Sequence, residues 1–226
     1  MSERLPYPTG DTTNGQEVQL TRALEAIPVT GGGYPVPTAD FLWRMAYEGR
    51  IFMAADADEN DMVTGQTSFV ATTPTFLLHV PAGTTAIPLY FNLSQSGTVG
   101  GGPVDVVIEI NTDKSDYASG GTSEKVYNPR KAPKLTNKAS LYSGATGGSG
   151  YGMRLWAATI GQDVSPAEGA VQGPFWKPEF PILLEGPASL SVFTYAGVTG
   201  PTWLWATGWI EIPTADLGKY LGLSQA

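Results

Sequence analysis

The sequence contains no cysteine and only one histidine, His79, in 226 residues. Without cysteine the chain has no disulfides and no thiolate nucleophile, and a zinc site would need carboxylates for nearly every ligand, which is uncommon. His79 lies in an alternating apolar segment, no Gly-x-Ser-x-Gly motif occurs, and the glycine clusters lack phosphate-binding spacings. We therefore expect no catalytic residue, no cofactor and no metal ion, and we predict that the protein is not an enzyme. A hydrolase that draws two carboxylates from distant strands remains an alternative.

Charged residues are scarce at 15%, and basic residues are the rarer sign, with 13 Lys and Arg against 21 Asp and Glu. The resulting net charge of -8 repels phosphate backbones and anionic lipid at long range. The first residues, MSERLPYPTGD, contain no apolar signal segment, and no apolar run approaches the roughly 18 residues of a membrane helix. We expect neither nucleic acid nor a membrane as a partner, and we expect no export.

Glycine and proline are abundant, with 28 and 18 residues, and apolar residues make up 42% of the chain. This composition indicates many short strands and turns around a packed core. Between residues 50 and 213 we count eight to ten strand segments, with turn signals about every ten residues and no helix between them. The sequence predicts a mainly β protein, an antiparallel β-sandwich, and eight strands in particular suggest a jelly roll.

The segment from Val104 to Asn111 has the clearest alternation in the chain. Its apolar positions alternate with Asp105, Val107 and Glu109. This pattern predicts an antiparallel strand with one buried face and one face in water.

The first 49 residues differ from the rest. Asn14 to Glu17 resembles a capping box, and apolar residues then recur at helical spacing until Pro28, which predicts a short helix. A Gly/Pro linker follows, and a second short helix containing Phe41 and Trp43 is predicted to end near Gly49. We divide the chain into an N-terminal arm at 1–49, a sandwich at 50–213 and a C-terminal tail at 214–226. The second helix either packs on the sandwich or docks onto a neighbouring subunit.

Basic residues are concentrated in the polar segment 112–154, which has seven of the thirteen. Four of these are Arg130, Lys131 and Lys134 in the loop from Tyr127 to Lys134, and Lys138 beyond its end. The loop is either simply solvated or contacts an acidic patch on a partner or on the next subunit. These four residues, with Phe41 and Trp43, are candidate subunit or capsid contacts.

Tryptophans are concentrated near the C-terminal end. Trp203, Trp205 and Trp209 occupy odd positions of one strand-like run, and Trp176 lies in a Pro/Gly loop before it. One interpretation makes them core or subunit contacts, so they join the candidate contact residues. The alternative is a platform on which exposed rings stack against sugars, which solvent exposure in a concave patch would favour.

The segments TFLLHVPAGTTAIPLYFNLSQSGTV, VDVVIEIN, FPILLEGPASLSVFTYAG and GWIEIP resemble the jelly-roll structural proteins of tailed bacteriophages, above all decoration or cement proteins of the capsid exterior. The likeness spans about residues 66–213 and transfers no functional residue. It implies a homotrimer that binds major capsid proteins, stabilises the icosahedral head, and faces the virion exterior after assembly in the host cytoplasm. The alternatives are a carbohydrate-binding jelly roll, receptor-binding or lectin-like, and a small jelly-roll major capsid protein.

Overall fold

The computed structural model describes residues 26–27, 36–37, 41–56, 62–96, 103–132, 135–148, 152–160, 172–197 and 202–220. The chain forms two compact units, Met1–Glu48 and Gly49–Ala226.

The described residues of the first unit form two very short strands and one helix. Strand β1, Ala26–Ile27, pairs antiparallel with β2, Val36–Pro37, and helix α1 spans Phe41–Tyr47. Helix α1 confirms the second predicted helix. The first predicted helix is wrong at Ala26–Ile27, where a β-branched residue directly before Pro28 favours extended backbone. The rest of that prediction lies outside the described residues.

The second unit is built on two antiparallel sheets and one small strand pair. Sheet 1 contains β3 Ile51–Ala55, β4 Val63–Thr64, β6 Thr84–Ser96, β10 Val126–Tyr127, β14 Gln172–Trp176, β15 Leu184–Glu185 and β17 Thr202–Pro213. Sheet 2 contains β5 Phe76–Val80, β7 Val104–Asn111, β9 Thr122–Ser123, β11 Ser140–Ser143, β13 Met153–Ile160 and β16 Ala188–Ala196. Strand β8, Tyr117–Ser119, pairs with β12, Thr146–Gly147.

The order of strands in sheet 1 is β10-β3-β17-β6-β14, with β15 also pairing with β6 and β4 with β17. The order in sheet 2 is β13-β7-β16-β5-β11-β9. After β17 a 3-10 turn at Thr214–Asp216 leads into helix α2, Leu217–Tyr220. Strand β17 therefore lies in the middle of sheet 1, paired with β3 on one side and β6 on the other.

The two sheets face each other across one hydrophobic core. The ring of Phe76, on sheet 2, lies 5.0 Å from Trp205 and 5.1 Å from Phe91, both on sheet 1. Such tilted aromatic pairs add to the stabilisation that burial of the rings already supplies. The predicted mainly β, antiparallel sandwich is confirmed.

The prediction that β7 has one face in water is wrong. Glu109 and Asn111 are both buried, with 6% and 9% of their surfaces exposed. The Arg154 guanidinium on the neighbouring strand β13 lies 3.2 Å from the Glu109 carboxylate. The ring of Phe69 packs 4.9 Å from Phe193 on β16, so the segment before β5 contacts the outer face of sheet 2. Other parts of the chain therefore cover Glu109 and Asn111, whereas Asp105 at the start of β7 is half-buried.

Candidate functional site

All four tryptophans predicted as contact residues lie in the core. Trp203, Trp205, Trp209 and Trp176 are between 0% and 6% exposed. Trp203 Nε1 donates to Thr194 Oγ1 at 2.9 Å, across the two sheets, so this buried indole N–H is satisfied internally. Trp203, Trp205 and Trp209 are therefore out of reach of a sugar ring or a partner surface, and Trp176, at 6% exposed, adds little surface to the cleft described below. Their role is to fill the sandwich, which corrects their assignment as subunit or capsid contacts and removes the predicted sugar platform.

Helix α1 places predicted contact residues in two environments. Phe41 is half-buried, whereas Trp43 is 74% exposed. Tyr47, one turn further along the helix, is 75% exposed, and Leu42 is 46% exposed. Residues four apart lie on the same side of a helix, so Trp43 and Tyr47 form one exposed surface. We call Leu42, Trp43 and Tyr47 the α1 aromatic face.

A second exposed aromatic region lies between β13, an edge strand of sheet 2, and β14, an edge strand of sheet 1. We call it the edge cleft; its volume is about 250 Å³ and its walls are Leu155, Trp156, Phe175, Trp176, Lys177, Pro178, Glu179, Phe180 and Ile182. Phe175 is 58% and Phe180 65% exposed. The Phe175 ring stacks on Tyr90 with centroids 6.0 Å apart, which fixes its orientation. The sequence did not predict this cleft, because Gly173 and Pro174 made the β14 segment resemble a loop.

Residues 125–138, which contain the predicted basic loop 127–134 and which we call the basic loop from here on, have exposed charges. Lys131 and Lys138 are exposed and Arg130 is half-buried, whereas Lys134 lies outside the described residues. The structure brings Lys138 to one cavity with Arg50, which sequence reasoning had not singled out.

Asn128 holds the basic loop in shape. Its Nδ2 donates to the carbonyl oxygen of Gly49 at 2.6 Å and to that of Leu135 at 3.1 Å. Its Oδ1 accepts from the backbone N–H of Arg130 at 3.0 Å. One amide side chain thus joins the start of β3 to both arms of the loop. Asparagine is suited to this because it carries two donors and an acceptor on a short side chain.

Glu211, on β17, fixes the other end of the loop. Its Oε2 accepts from Lys138 N at 2.7 Å, and its Oε1 accepts from Ala139 N at 3.1 Å and from Trp209 Nε1 at 2.8 Å. Burial raises the pKa of this carboxyl, while the bonds from Trp209, Lys138 and Ala139 and the charge of Lys138 act in the opposite direction. Glu211 is a clamp between sheet 1 and the segment entering β11.

A cavity of about 620 Å³ lies beside this clamp, and we call it the loop cavity. Its lining residues are Arg50, Phe52, Gly83, Thr84, Leu135, Thr136, Lys138, Glu211, Ile212 and Pro213. The guanidinium of Arg50 lies 4.9 Å from the centre of the Tyr220 ring on α2. Sequence reasoning missed Glu211, although a lone acid inside the apolar strand TWLWATGWIEIP was a usable signal, because buried acids need partners.

His79 belongs to a polar network at the end of sheet 2. Its Nδ1 lies 2.6 Å from Ser115 Oγ, and burial lowers the pKa of the imidazole. The Asp116 carboxylate accepts from Asn111 Nδ2 at 2.9 Å and from Ser189 Oγ at 3.4 Å, and burial raises its pKa. These contacts connect the turn after β7 to β5 and β16. We therefore interpret His79 as a structural residue.

Within the described ranges, no group of three or more His, Asp or Glu side chains is placed to hold a metal ion. Among the same residues no helix is long and apolar enough to cross a membrane. Comparison with protein-family models, curated proteins and solved structures found no match to this chain.

Proposed function

We propose that the protein is a virion structural protein, a decoration or cement protein that binds the major capsid protein on the outside of an icosahedral head. In this proposal it acts as a homotrimer and stabilises the shell. The sequence resemblance described above motivates the proposal. The path of the strands and two exposed aromatic surfaces support it.

The strand path favours a jelly roll. Eight strands, β3, β5, β6, β7, β13, β14, β16 and β17, visit the sheets in the order 1, 2, 1, 2, 2, 1, 2, 1. Their neighbour order is β3-β17-β6-β14 in sheet 1 and β5-β16-β7-β13 in sheet 2. We infer two interlocked Greek keys from this order, the arrangement of jelly rolls in viral capsid proteins and in lectins.

The observation that carries the assembly function is the exposure of aromatic side chains in each of the two units. The α1 aromatic face and the edge cleft both present rings that are more than half exposed, whereas Phe76, Phe91, Trp203, Trp205 and Trp209 fill the core of the sandwich. Aromatic residues are enriched in protein interfaces. A closed trimer uses heterologous contacts, in which one patch meets a different patch on the next subunit, and two unlike aromatic surfaces suit that geometry.

Mass measurement by light scattering tests the trimer. We expect three chains per particle for the wild type, and a shift towards monomer for Trp43→Ala and for Phe180→Ala. Val70→Ala, which shortens another exposed apolar side chain, is the control and should keep the wild-type mass. A monomeric wild type would contradict the trimer.

Cryo-electron microscopy tests capsid binding. Purified protein is mixed with heads that lack it, and we expect added density on the outer surface at threefold or quasi-threefold positions. Heads that show no added density at saturating protein would remove the decoration function.

A second candidate function is carbohydrate binding at the edge cleft. Phe175 and Phe180 expose ring faces there, and Lys177 and Glu179 line the same cleft and supply hydrogen-bonding groups. A glycan array tests this candidate. Specific binding that Phe175→Ala abolishes, while Trp43→Ala leaves it unchanged, would support it. An array without specific signal would exclude it.

A further inference from the structure

We propose that the loop cavity binds an acidic, partly apolar peptide segment of a partner protein. The inference rests on the proposed function only for the identity of that partner, which would then be the capsid protein.

Two basic side chains and one acidic side chain line the cavity, although the whole protein is acidic. The chain has a net charge of -8, yet residues 125–138 contain five basic and no acidic side chains. Lys138 from this segment and Arg50 from the start of β3 both line the cavity. Glu211 is the acidic residue of the lining, and its two oxygens already accept three N–H bonds. Two basic side chains beside one hydrogen-bonded acid favour a carboxylate ligand in this cavity.

Apolar groups complete the lining. Phe52 and Ile212 in the lining are buried, but Leu135, at 38% exposed, and Pro213 present apolar surface to the cavity. A phosphate backbone or a small inorganic anion would leave these groups in contact with water. A peptide that alternates carboxylate and apolar side chains covers both kinds of surface, which is why we favour a peptide over nucleic acid.

Hydrogen bonds within the protein hold the cavity wall in place. Asn128 fixes the loop by three hydrogen bonds, and Glu211 fixes its far end by two bonds to backbone N–H groups. A wall held in this way loses little conformational freedom when a ligand binds. The side chain of Lys138 is exposed while its backbone N–H is used in the clamp, so its charge is available to a ligand.

Fluorescence anisotropy with labelled probes tests the proposal. The probes are a peptide of alternating Glu and Leu, the same peptide with Gln in place of Glu, and a single-stranded DNA of similar length and charge. The variants are Lys138→Gln, which keeps the backbone N–H bond to Glu211, and Lys177→Gln, which removes an exposed positive charge at the edge cleft.

We expect the Glu peptide to bind the wild type more tightly than the Gln peptide and the DNA, and its binding to weaken as salt is added. Lys138→Gln should raise the Kd about fivefold, the effect of one partly exposed ion pair, and Lys177→Gln should leave it unchanged. Equal binding of the Glu and Gln peptides, or equal effects of the two variants, would overturn the proposal. Tighter binding of the DNA would replace it with a nucleic-acid site.

The same variants separate this inference from the proposed function. Peptide binding that depends on Lys138, together with a wild type that does not attach to heads, would leave the cavity assigned and contradict the capsid role. If neither protein binds the peptide but wild type and Lys138→Gln attach equally to heads, the capsid role is supported and the peptide site in the loop cavity is contradicted.

Discussion

Replacing Glu211 with glutamine changes one atom of the clamp and keeps the size of the side chain. In the variant the amide oxygen can still accept from Trp209 Nε1 and Ala139 N. The amide nitrogen, however, replaces Oε2, which in the wild type accepts from Lys138 N at 2.7 Å. One hydrogen bond to a carboxyl oxygen is lost, and two donors oppose each other. We expect Glu211→Gln to lower the free energy of unfolding by about 1–3 kcal/mol.

Urea unfolding, followed by tryptophan fluorescence, measures this change. Glu211→Ala leaves all three N–H groups without their acceptor and should cost about 3 kcal/mol or more, at about 1 kcal/mol for each group. The matched control is Glu185→Gln on β15, where the side chain is exposed and the change should stay within about 0.5 kcal/mol. If Glu211→Gln lowers the free energy of unfolding as little as the control does, the stabilising role of Glu211 is refuted.

The pH dependence of the same difference tests the electrostatic reasoning. The folded pKa of Glu211 lies above its ordinary value of 4.5, because burial disfavours the charged form. Its contribution to stability is therefore fully present below the unfolded pKa and declines as the pH rises through the folded pKa. Because glutamine does not titrate, the cost of Glu211→Gln should be largest in acid and fall towards neutral pH. A cost that grows with pH would mean that the clamp favours the ionised form.

Three further predictions concern the sandwich itself. Gly121 has φ of 79°, and an added Cβ would lie 2.8 Å from backbone atoms of Ser143 and Ala145. Gly121→Ala should therefore lower the free energy of unfolding by more than the about 1–2 kcal/mol that left-handed backbone alone costs. Gly120→Ala, with φ of 68° and open space around the added Cβ, is the control in urea unfolding. Trp203→Phe removes the N–H donor to Thr194, and we expect the free energy of unfolding to fall by about 1–3 kcal/mol, which lowers the urea midpoint. An unchanged midpoint would contradict the role of this bond. Burial lowers the pKa of His79, so the imidazole binds a proton more tightly in the unfolded chain than in the folded protein. The free energy of unfolding should therefore fall as the pH drops from 6.5 through the folded pKa. In His79→Gln, urea unfolding measured over the same pH range should no longer show this fall.

Alternation of side chains along the chain was enough to predict the long strands. The apolar positions of β5, β7 and β16 follow the period of two that a half-buried strand requires, and the sandwich follows from their number. The pattern did not predict what covers the second face of β7, because Arg154 and Phe69 come from distant parts of the chain. A period of two identifies faces without saying what each face contacts.

The candidate site was predicted only in part. The basic loop was recognisable because positive charges cluster in an acidic chain, and Lys138 does line a cavity. Glu211 was not recognisable as its partner, since the bonds between them join residues 73 positions apart in the sequence. The tryptophans of β17 could not be assigned from the sequence either, because spacing does not reveal whether a ring faces the other sheet or a neighbouring molecule.

The central position of β17 has a consequence for synthesis of the protein. This strand follows all the other strands of the sandwich along the chain, yet it lies between β3 and β6 and supplies Trp203, Trp205 and Trp209 to the core. While the chain emerges from the ribosome, the edges of β3 and β6 that pair with β17 therefore remain unpaired until β17 has been synthesised. The sandwich can close only after β17 has been made, so a nascent chain stopped before residue 202 should remain sensitive to protease.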